Sequence, residues 1–515
     1  MLPAVHQDRL PRIKQVSVRH LPVPLGTATP VSLPRLPSDK RLDIKPGHKK
    51  RSRASASADY KTPPLLPQAS AHLLWTLSST ILQSNGSSPV DPLHSYKLYV
   101  GSGNNDQLVA RLMKRRWFWT RVDSWQVADF VWTQHRITEI LHTIPSSDVT
   151  LTPGAAKVRI KVPRAVRLQA ESRPTGLELI TQAGCLVRCE ELPGRPRLYN
   201  RLERNFEVTS KRGLLLNLKR YYEGQGREPF AVLPLTYLVE EPQGDVGLEA
   251  FKEAYTENSM WIIKPGENTN CGHGIHVSRS LEDIVSLVQG AGRAHRRSFL
   301  IQKYLESPLL IHKRKFDIRC YALVTCCRGH VQAYFYHDGY LRTSSREFST
   351  ANVDDRFVHL TNDAVQKTAE DYGRFENGNK LSYPEFQKYL DQHHRGVDFW
   401  TSVWPQIREV VIDTVKATWE RIDPSRRANT FEVLGYDFMV DSAFHVWLLE
   451  VNTNPCLALS SAYLARLIPD MLDNAFRIAV DPYFQEPPSK KHDREWAAQP
   501  FENRFELVFS SLASE

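Results

Sequence analysis

The chain has 515 residues, 41% hydrophobic and 24% charged, values that exclude a collagen, a coiled coil and a wholly disordered chain and allow two to four domains. No apolar run approaches the ~18 residues of a membrane helix, and the first residues lack the apolar core of a signal peptide, so no membrane is expected as a partner. The net charge of +10 is lopsided: residues 1–72 hold thirteen Lys/Arg against four Asp/Glu, leaving about +1 for all the rest.

That basic arm also carries eleven of the 33 prolines and the run His48-Lys49-Lys50-Arg51-Ser52-Arg53. It cannot bury enough apolar surface to fold alone and is expected to be disordered. A solvated tail, nuclear targeting, nucleic-acid binding and tethering to an acidic polymer all fit it. The seven cysteines (185, 189, 271, 320, 326, 327 and 456) are odd in number and come with no secretory signal, which reads as reduced thiols in the cytosol. Cys185 and Cys189 have no second pair at zinc spacing.

Ordered patterning begins near residue 73. Tyr96-Lys97-Leu98-Tyr99-Val100 alternates like a strand, and Asn104 or Asn105 is placed to cap a helix with Leu108, Val109, Leu112 and Met113 on one stripe. Residues 152–200 are turn-rich. A helical pattern returns over Thr209–Tyr222. Beyond 258, apolar strands at 261–263, 275–277, 299–304, 316–324, 331–336 and 445–451 alternate with helices near 281–290, 383–393 and 401–420. Ser382-Tyr383-Pro384-Glu385 has the form of a capping box. The pattern predicts an α+β fold with a mainly antiparallel sheet.

Four polar constellations interrupt these elements. In Trp261-Ile262-Ile263-Lys264-Pro265-Gly266 and the loop through Gly272 and Gly274, a strand ends on a lysine and a glycine-rich turn follows. Such a loop can bring backbone N–H groups and Lys264 over a triphosphate, or be a plain flexible hairpin. Lys315, Asp317 and Arg319 share one face of a strand, a pattern that an exposed salt-bridged strand would share. Arg342, and His359-Leu360-Thr361-Asn362, read alone as ordinary surface. In Gly435–Asp441 and His445–Asn452, two strands form a hairpin. A turn centred between Ala443 and Phe444 sets Asp437 opposite Glu450, with Asn452 on the same face. Two opposed carboxylates repel unless compensated, so these hard oxygen ligands fit a magnesium ion or else a solvated edge in another register. Asp371–Gly378 looks calcium-like, but Phe375 stands where an EF-hand needs an oxygen.

Taken in order, W-I-I-K-P-G with G-x-G-I (261–275), I-Q-K-Y-L-E-S-P-L-L (301–310), R-K-F-D-I-R (314–319), L-R-T-S-S (341–345), H-L-T-N (359–362), Y-G-R-F-E-N-G-N (372–379), G-Y-D-F-M-V-D (435–441) and W-L-L-E-V-N (447–452) resemble the tubulin tyrosine ligase and tubulin tyrosine ligase-like family of the ATP-grasp superfamily. The resemblance is dense from about 258 to 480. It implies an ATP-grasp-type fold: an N-terminal domain over 73–208 with an irregular insertion at 152–200, a central domain over 209–304, a C-terminal domain over 305–484 and a short tail over 485–515, with nucleotide between the last two domains.

The resemblance also implies roles. Lys211 and Lys264 would contact ATP phosphates under the loop at Gly272 and Gly274. Gln302, Lys303, Tyr304 and Leu305 would hold adenine, and Lys315 and Asp317 would line the pocket. Arg319 and Arg342 would neutralise the reacting carboxylate, with His359, Thr361 and Asn362 on the substrate side. Asp437, Glu450 and Asn452 would bind Mg2+, Glu450 acting catalytically. The implied activity is an ATP- and magnesium-dependent ligase joining a free amino acid to an acidic tubulin or microtubule C-terminal tail through an acyl phosphate. The motifs lean slightly to tyrosination, with glutamylation or glycylation as the alternative. A basic nucleic-acid-binding protein and a non-catalytic microtubule scaffold are more remote readings. A monomeric catalytic unit in the cytoplasm, on microtubules or in a cilium, is expected.

Overall fold

The computed structural model describes residues 95–146, 197–241, 244–266, 274–295, 298–327, 329–484 and 502–511. The basic arm, nearly all of the 152–200 insertion, Gly272, Cys185, Cys189, Cys271 and most of the 485–515 tail lie outside these residues.

Near the N-terminus β1 (Tyr96–Val100) lies between β2 (Trp119–Arg121) and β3 (Phe130–Trp132), and β4 (Leu198–Tyr199) runs along β3, all parallel. The helix Asp106–Lys114 buries the expected stripe Leu108, Val109, Leu112 and Met113. Its start differs from expectation. Asn105 is the N-cap residue, but its side chain makes no capping bond. Both asparagines take left-handed backbone conformations, φ 43° and 58°, which Asn tolerates better than most residues. Their amides reach out instead: Asn104 Nδ2 donates to Pro455 O at 2.9 Å, and Asn105 Nδ2 donates to Leu457 O at 2.9 Å. They anchor the loop that follows the Asp437–Glu450 hairpin.

A four-stranded antiparallel sheet follows, built from β5 (Thr236–Val239), β6 (Trp261–Pro265), β7 (His276–Ser278) and β8 (Phe299–Lys303) in the order β5-β8-β6-β7. Period-two alternation divides its faces. Trp261, Ile263, Phe299 and Ile301 pack with Leu248, Phe251, Ile284 and Val288 of the helices Val246–Ala254 and Leu281–His295. Ile262, Lys264 and Gln302 are left on the other face.

The second sheet contains β9 (Leu310–Ile311), β10 (Arg314–Cys327), β11 (His330–Glu347), β12 (Lys380–Ser382), β13 (Asn429–Val440), β14 (Val446–Thr453) and β15 (Phe505–Ser510), all antiparallel to their partners in this group. Their order is β12-β11-β10-β13, with β14 on β13. Because β4 pairs in parallel with β13 at Thr430, the N-terminal strands extend the same eleven-stranded sheet. The α+β class with mainly antiparallel pairing therefore holds, and the parallel pairs are confined to the N-terminal strands and β4–β13.

Strands β10 and β11 outrun their predicted limits of 316–324 and 331–336. The reason is burial of charge: Arg314 and Lys315, just before the first predicted strand, and Arg342, beyond the second, are inside, as are Asp317 and Arg319. The helix Tyr383–His393 starts with both capping-box bonds between Ser382 and Glu385, as predicted. Helices near 281–290 and 401–420 run instead over Leu281–His295 and Trp404–Ile422, the latter opened by Pro405 in its first turn. The helix predicted from Thr209 begins at Lys211, because the Ser210 side chain accepts the Gly213 N–H and caps it there.

One buried ion pair joins the N-terminal segment to this sheet. Glu432, with no exposed surface, accepts from Arg201 Nη1 at 3.3 Å, Leu202 N at 3.1 Å, Asn205 Nδ2 and the Thr453 hydroxyl. Removing one member strands the other charge, so Glu432→Ala should cost about 3–5 kcal/mol, read as a lowered urea midpoint. An unchanged midpoint would refute the pairing.

Candidate active site

The hairpin β13–β14 sets Asp437 opposite Glu450, the predicted pair. The route to that register differs. Val440 faces Val446, which centres the turn on Ala443, and a bulge at Leu449 adds the residue that brings 437 and 450 into line. On β10 and β11, Asp317 pairs with Arg342, and Arg319 pairs with Asp437 of β13. Four strands thus present one continuous ionic row, buried up to its half-buried end at Glu450: Lys315, Asp317, Arg319, Arg342 and Asp437 are each at most 6% exposed.

The bonds in the row are reciprocal. Arg342 Nε and Nη2 donate to the two Asp317 oxygens at 2.6 and 2.8 Å, and Nη2 also lies 2.8 Å from Asp437 Oδ2. Arg319 clasps Asp437 through Nε at 2.5 Å and Nη2 at 3.0 Å. Burial alone would raise the Asp437 pKa, yet Arg319 and Arg342 hold it well below the usual carboxylate range. Thr361 donates to Asp317 as well.

This row forms the floor of an open cleft roofed by the inner face of the four-stranded sheet. Of the residues singled out by sequence, Lys211, Lys264, Gln302, Lys303, Tyr304, Leu305, Lys315, Asp317, Arg342, His359, Thr361, Asn362, Asp437 and Glu450 line it. Arg319 and Asn452 do not: Arg319 lies beneath, held by Asp437, and Asn452 stands beside the two carboxylates. Gly274 (φ 71°) is at the end of β6–β7, where a Cβ would come within 3.0 Å of Pro265. Sequence reading missed the apolar lining of Pro234, Ile262, Ile275, Leu360, Met439 and Leu449. Ile262 and Met439 were detectable, two residues from Lys264 and Asp437 on the same faces. Leu449 had no signal, since the bulge places it.

Among the described residues the buried Lys264 and Lys315 of the cleft have no anionic hydrogen-bond partner. Lys264 Nζ donates to Gln302 Oε1 at 2.6 Å, and Gln302 is held in turn by Thr236 Oγ1 at 2.8 Å. Lys315 Nζ donates to the Tyr304 hydroxyl at 2.9 Å and the His359 carbonyl at 3.1 Å. Burial, then the neighbouring Lys264, pulls the Lys315 ammonium down to about 7. Burial likewise pulls Lys264 down to about 8, Glu450 opposing and Lys211 adding. Lys211 approaches Glu450 Oε2 at 3.8 Å.

The donors at the hairpin suit a small hard cation. Asn452 Nδ2 lies 3.1 Å from both Asp437 Oδ2 and Glu450 Oε1, so two carboxylate oxygens already converge on one point, and half a turn of the amide brings its oxygen there. Among the described residues no group of three or more His, Cys, Asp or Glu is arranged to hold a metal. Two carboxylates completed by water and phosphate is the arrangement magnesium commonly takes.

The profile of the tubulin-tyrosine ligase family matches residues 191–488. Tubulin glycylase 3B of Tetrahymena thermophila is 33% identical over 224 residues, 43% of this chain and 18% of that protein. Tubulin glycylase 3A of Drosophila melanogaster is 34% identical over 226 residues, 43% of this chain and 22% of that protein. A protein named probable tubulin polyglutamylase ttll-9 of Caenorhabditis elegans is 32% identical over 264 residues, half of this chain and 61% of that protein. The chain thus spans about a fifth of these two glycylases and under two thirds of this polyglutamylase.

Proposed function

The chain belongs to the tubulin-tyrosine ligase family, and from that premise we propose that it is an ATP-dependent ligase adding glycine or glutamate to a tubulin C-terminal tail. The lean of the motifs toward tyrosine has no support among the relatives, whose names are glycylases and polyglutamylases; glycine or glutamate replaces it. The observation that carries the ligase reading is the pair Lys264 and Lys315, buried ammoniums whose hydrogen bonds go to neutral atoms, since a polyphosphate supplies the missing charge.

In this reading the domains at 209–304 and 305–484 hold nucleotide between them, adenine against the apolar wall near Tyr304 and Leu305 and phosphates toward Lys211, Lys264 and Lys315. A bound Mg2+ on Asp437, Glu450 and Asn452 would neutralise phosphate charge. Arg342 holds the acceptor carboxylate while its oxygen takes the γ-phosphoryl group and ADP leaves. The amine of the free amino acid then attacks the acyl carbon: a C–N bond forms, the C–O bond to phosphate breaks, and the amine gives up a proton. Arg319 acts through Asp437, as a positioning residue. Positioning and charge compensation suffice for this chemistry, and a covalent nucleophile is not needed. Action on microtubules in the cytoplasm follows from the substrate. Among the described residues no helix is long and apolar enough to cross a membrane.

The test is incubation with microtubules, magnesium and ATP plus Gly, Glu or Tyr, read by mass spectrometry of tubulin tails. Mass added with Gly or Glu is expected. Mass added with Tyr alone would restore tyrosination, and none with any amino acid would overturn the ligase reading.

A further inference from the structure

Lys380 opens β12 and pairs with Arg342 across the ladder, so its side chain shares the face of the ionic row, one strand beyond Arg342 and away from the Asp437–Glu450 end. It is 7% exposed, and the resemblance assigns it no role. Its Nζ donates to Asp363 Oδ1 at 2.6 Å and to Gly378 O at 2.9 Å, which uses two of the three ammonium donors. Asp363 follows Asn362, the last cleft-lining residue of that segment, and is shared: it also takes the Tyr372 hydroxyl at 2.9 Å and Lys367 Nζ at 2.6 Å. One carboxylate therefore serves two ammoniums. Among the described residues Arg319, Arg342 and Lys380 make their ion pairs with Asp437, Asp317 and Asp363, and Asp363 is the one of these carboxylates also drawn on by an exposed ammonium, Lys367.

We propose that Lys380, oriented by Asp363, binds the α-carboxylate of the incoming free amino acid. The inference rests on the ligase reading and adds the place of the second substrate. Geometry selects that group. The attacking amine must reach an acyl carbon held at Arg342, and in any amino acid the α-carboxylate is two bonds from that amine. A cation for it must stand next to Arg342, and directly paired residues on one face lie ~5 Å apart. The third ammonium donor of Lys380 is left for the carboxylate, and the placement beyond Arg342 keeps the amino acid clear of the phosphates. Because glycine and glutamate both carry this group, the subsite recognises the class of substrate rather than its side chain.

The full chain is assayed with microtubules, ATP and magnesium, using the accepted amino acid and its α-amide (glycinamide, or the α-amide of glutamate). The wild type should prefer the acid by about 100-fold in kcat/KM, because the neutral amide forfeits the charge-assisted bond from the third ammonium donor. K380M should raise KM for the acid by about 10–100-fold, leave the amide nearly unchanged, and so bring the ratio to within about threefold, with binding of a fluorescent ATP analogue retained. K380R should recover part of the preference. Equal losses for acid and amide, or parallel loss of nucleotide binding, would make Lys380 a structural residue and overturn the proposal. Should K380M not fold, the wild type still decides: the N-acetylated amino acid, which keeps the carboxylate, should compete with the free amino acid, and its amide should not. Acid and amide used alike by an active wild type would overturn the subsite alone. A wild type inactive with every amino acid would overturn the ligase reading and the subsite with it.

Discussion

Glu450→Gln is expected to lower tail ligation by about two to four orders of magnitude while leaving unfolding within about 1 kcal/mol of wild type. The glutamate is half-buried, and among the described residues its one ion pair is the loose contact with Lys211 at 3.8 Å, so little of the fold depends on its charge. Its oxygen is one of two that converge beside Asn452, so the charge that would hold the cation is lost. Asp437→Asn should behave differently, although the two carboxylates face each other in one ladder. Asp437 carries Arg319 and Arg342, both buried, and without its charge two guanidinium groups lose a shared counter-ion. That should cost about 3–5 kcal/mol in addition to the loss of activity. Ligation of the double variant, where it folds, should be little worse than that of either single one, since both residues serve one site. Initial rates by mass spectrometry and urea midpoints on the same preparations separate these outcomes. Near-normal turnover in Glu450→Gln would end the metal assignment.

Why the hairpin was legible and its surroundings were not is a matter of range. Asp437 and Glu450 are thirteen residues apart, close enough for alternation and a turn to place them. Even there two offsets cancelled: the turn sits half a residue from its predicted centre, and the unpredicted bulge at Leu449 restored the register. Lys315, Asp317 and Arg319 were assigned to one face correctly, but alternation cannot tell a buried ionic row from a solvated one. Burial came from β11 and β13 pairing on either side of β10, contacts over 21 to 118 residues. The asparagines before the first helix failed for the same reason, since the partners that claim their amides lie some 350 residues away. Lys380 was invisible because a single lysine between a glycine-rich turn and a capping box has no period to follow. It becomes conspicuous only when β12 lies against Arg342.

The cleft lysines give opposite signatures in stability and in binding. Lys315→Met should reduce nucleotide affinity by about 10–100-fold at pH 6.5 and at the same pH should not destabilise the ligand-free protein. The sign follows from the protons. Folding lowers the Lys315 pKa from its ordinary value to about 7, so above that pH the unfolded chain binds the extra proton and the folded chain does not. Stability contributed by this group therefore rises with pH between about 7 and its unfolded value, and is lowest below 7, where the buried ammonium must be charged. Replacing it with Met removes that charge but leaves the His359 carbonyl without its donor, a loss of about 1–3 kcal/mol. At pH 6.5 the two effects offset or favour the variant. At pH 9.5 the wild-type amine is already neutral, only the lost bonds remain, and the variant should melt lower. Nucleotide binding runs the other way: a polyphosphate prefers Lys315 and Lys264 charged, so wild-type affinity should fall as pH rises through about 7 to 8, and Lys315→Met should keep only the later step, at Lys264. Melting curves and nucleotide titrations at pH 6.5 and 9.5 test both signs together. A wild-type affinity that does not change over that interval, or a variant equally destabilised at both pH values, would show that these ammoniums are not poised for an anion, and the nucleotide assignment of the cleft would fall with them.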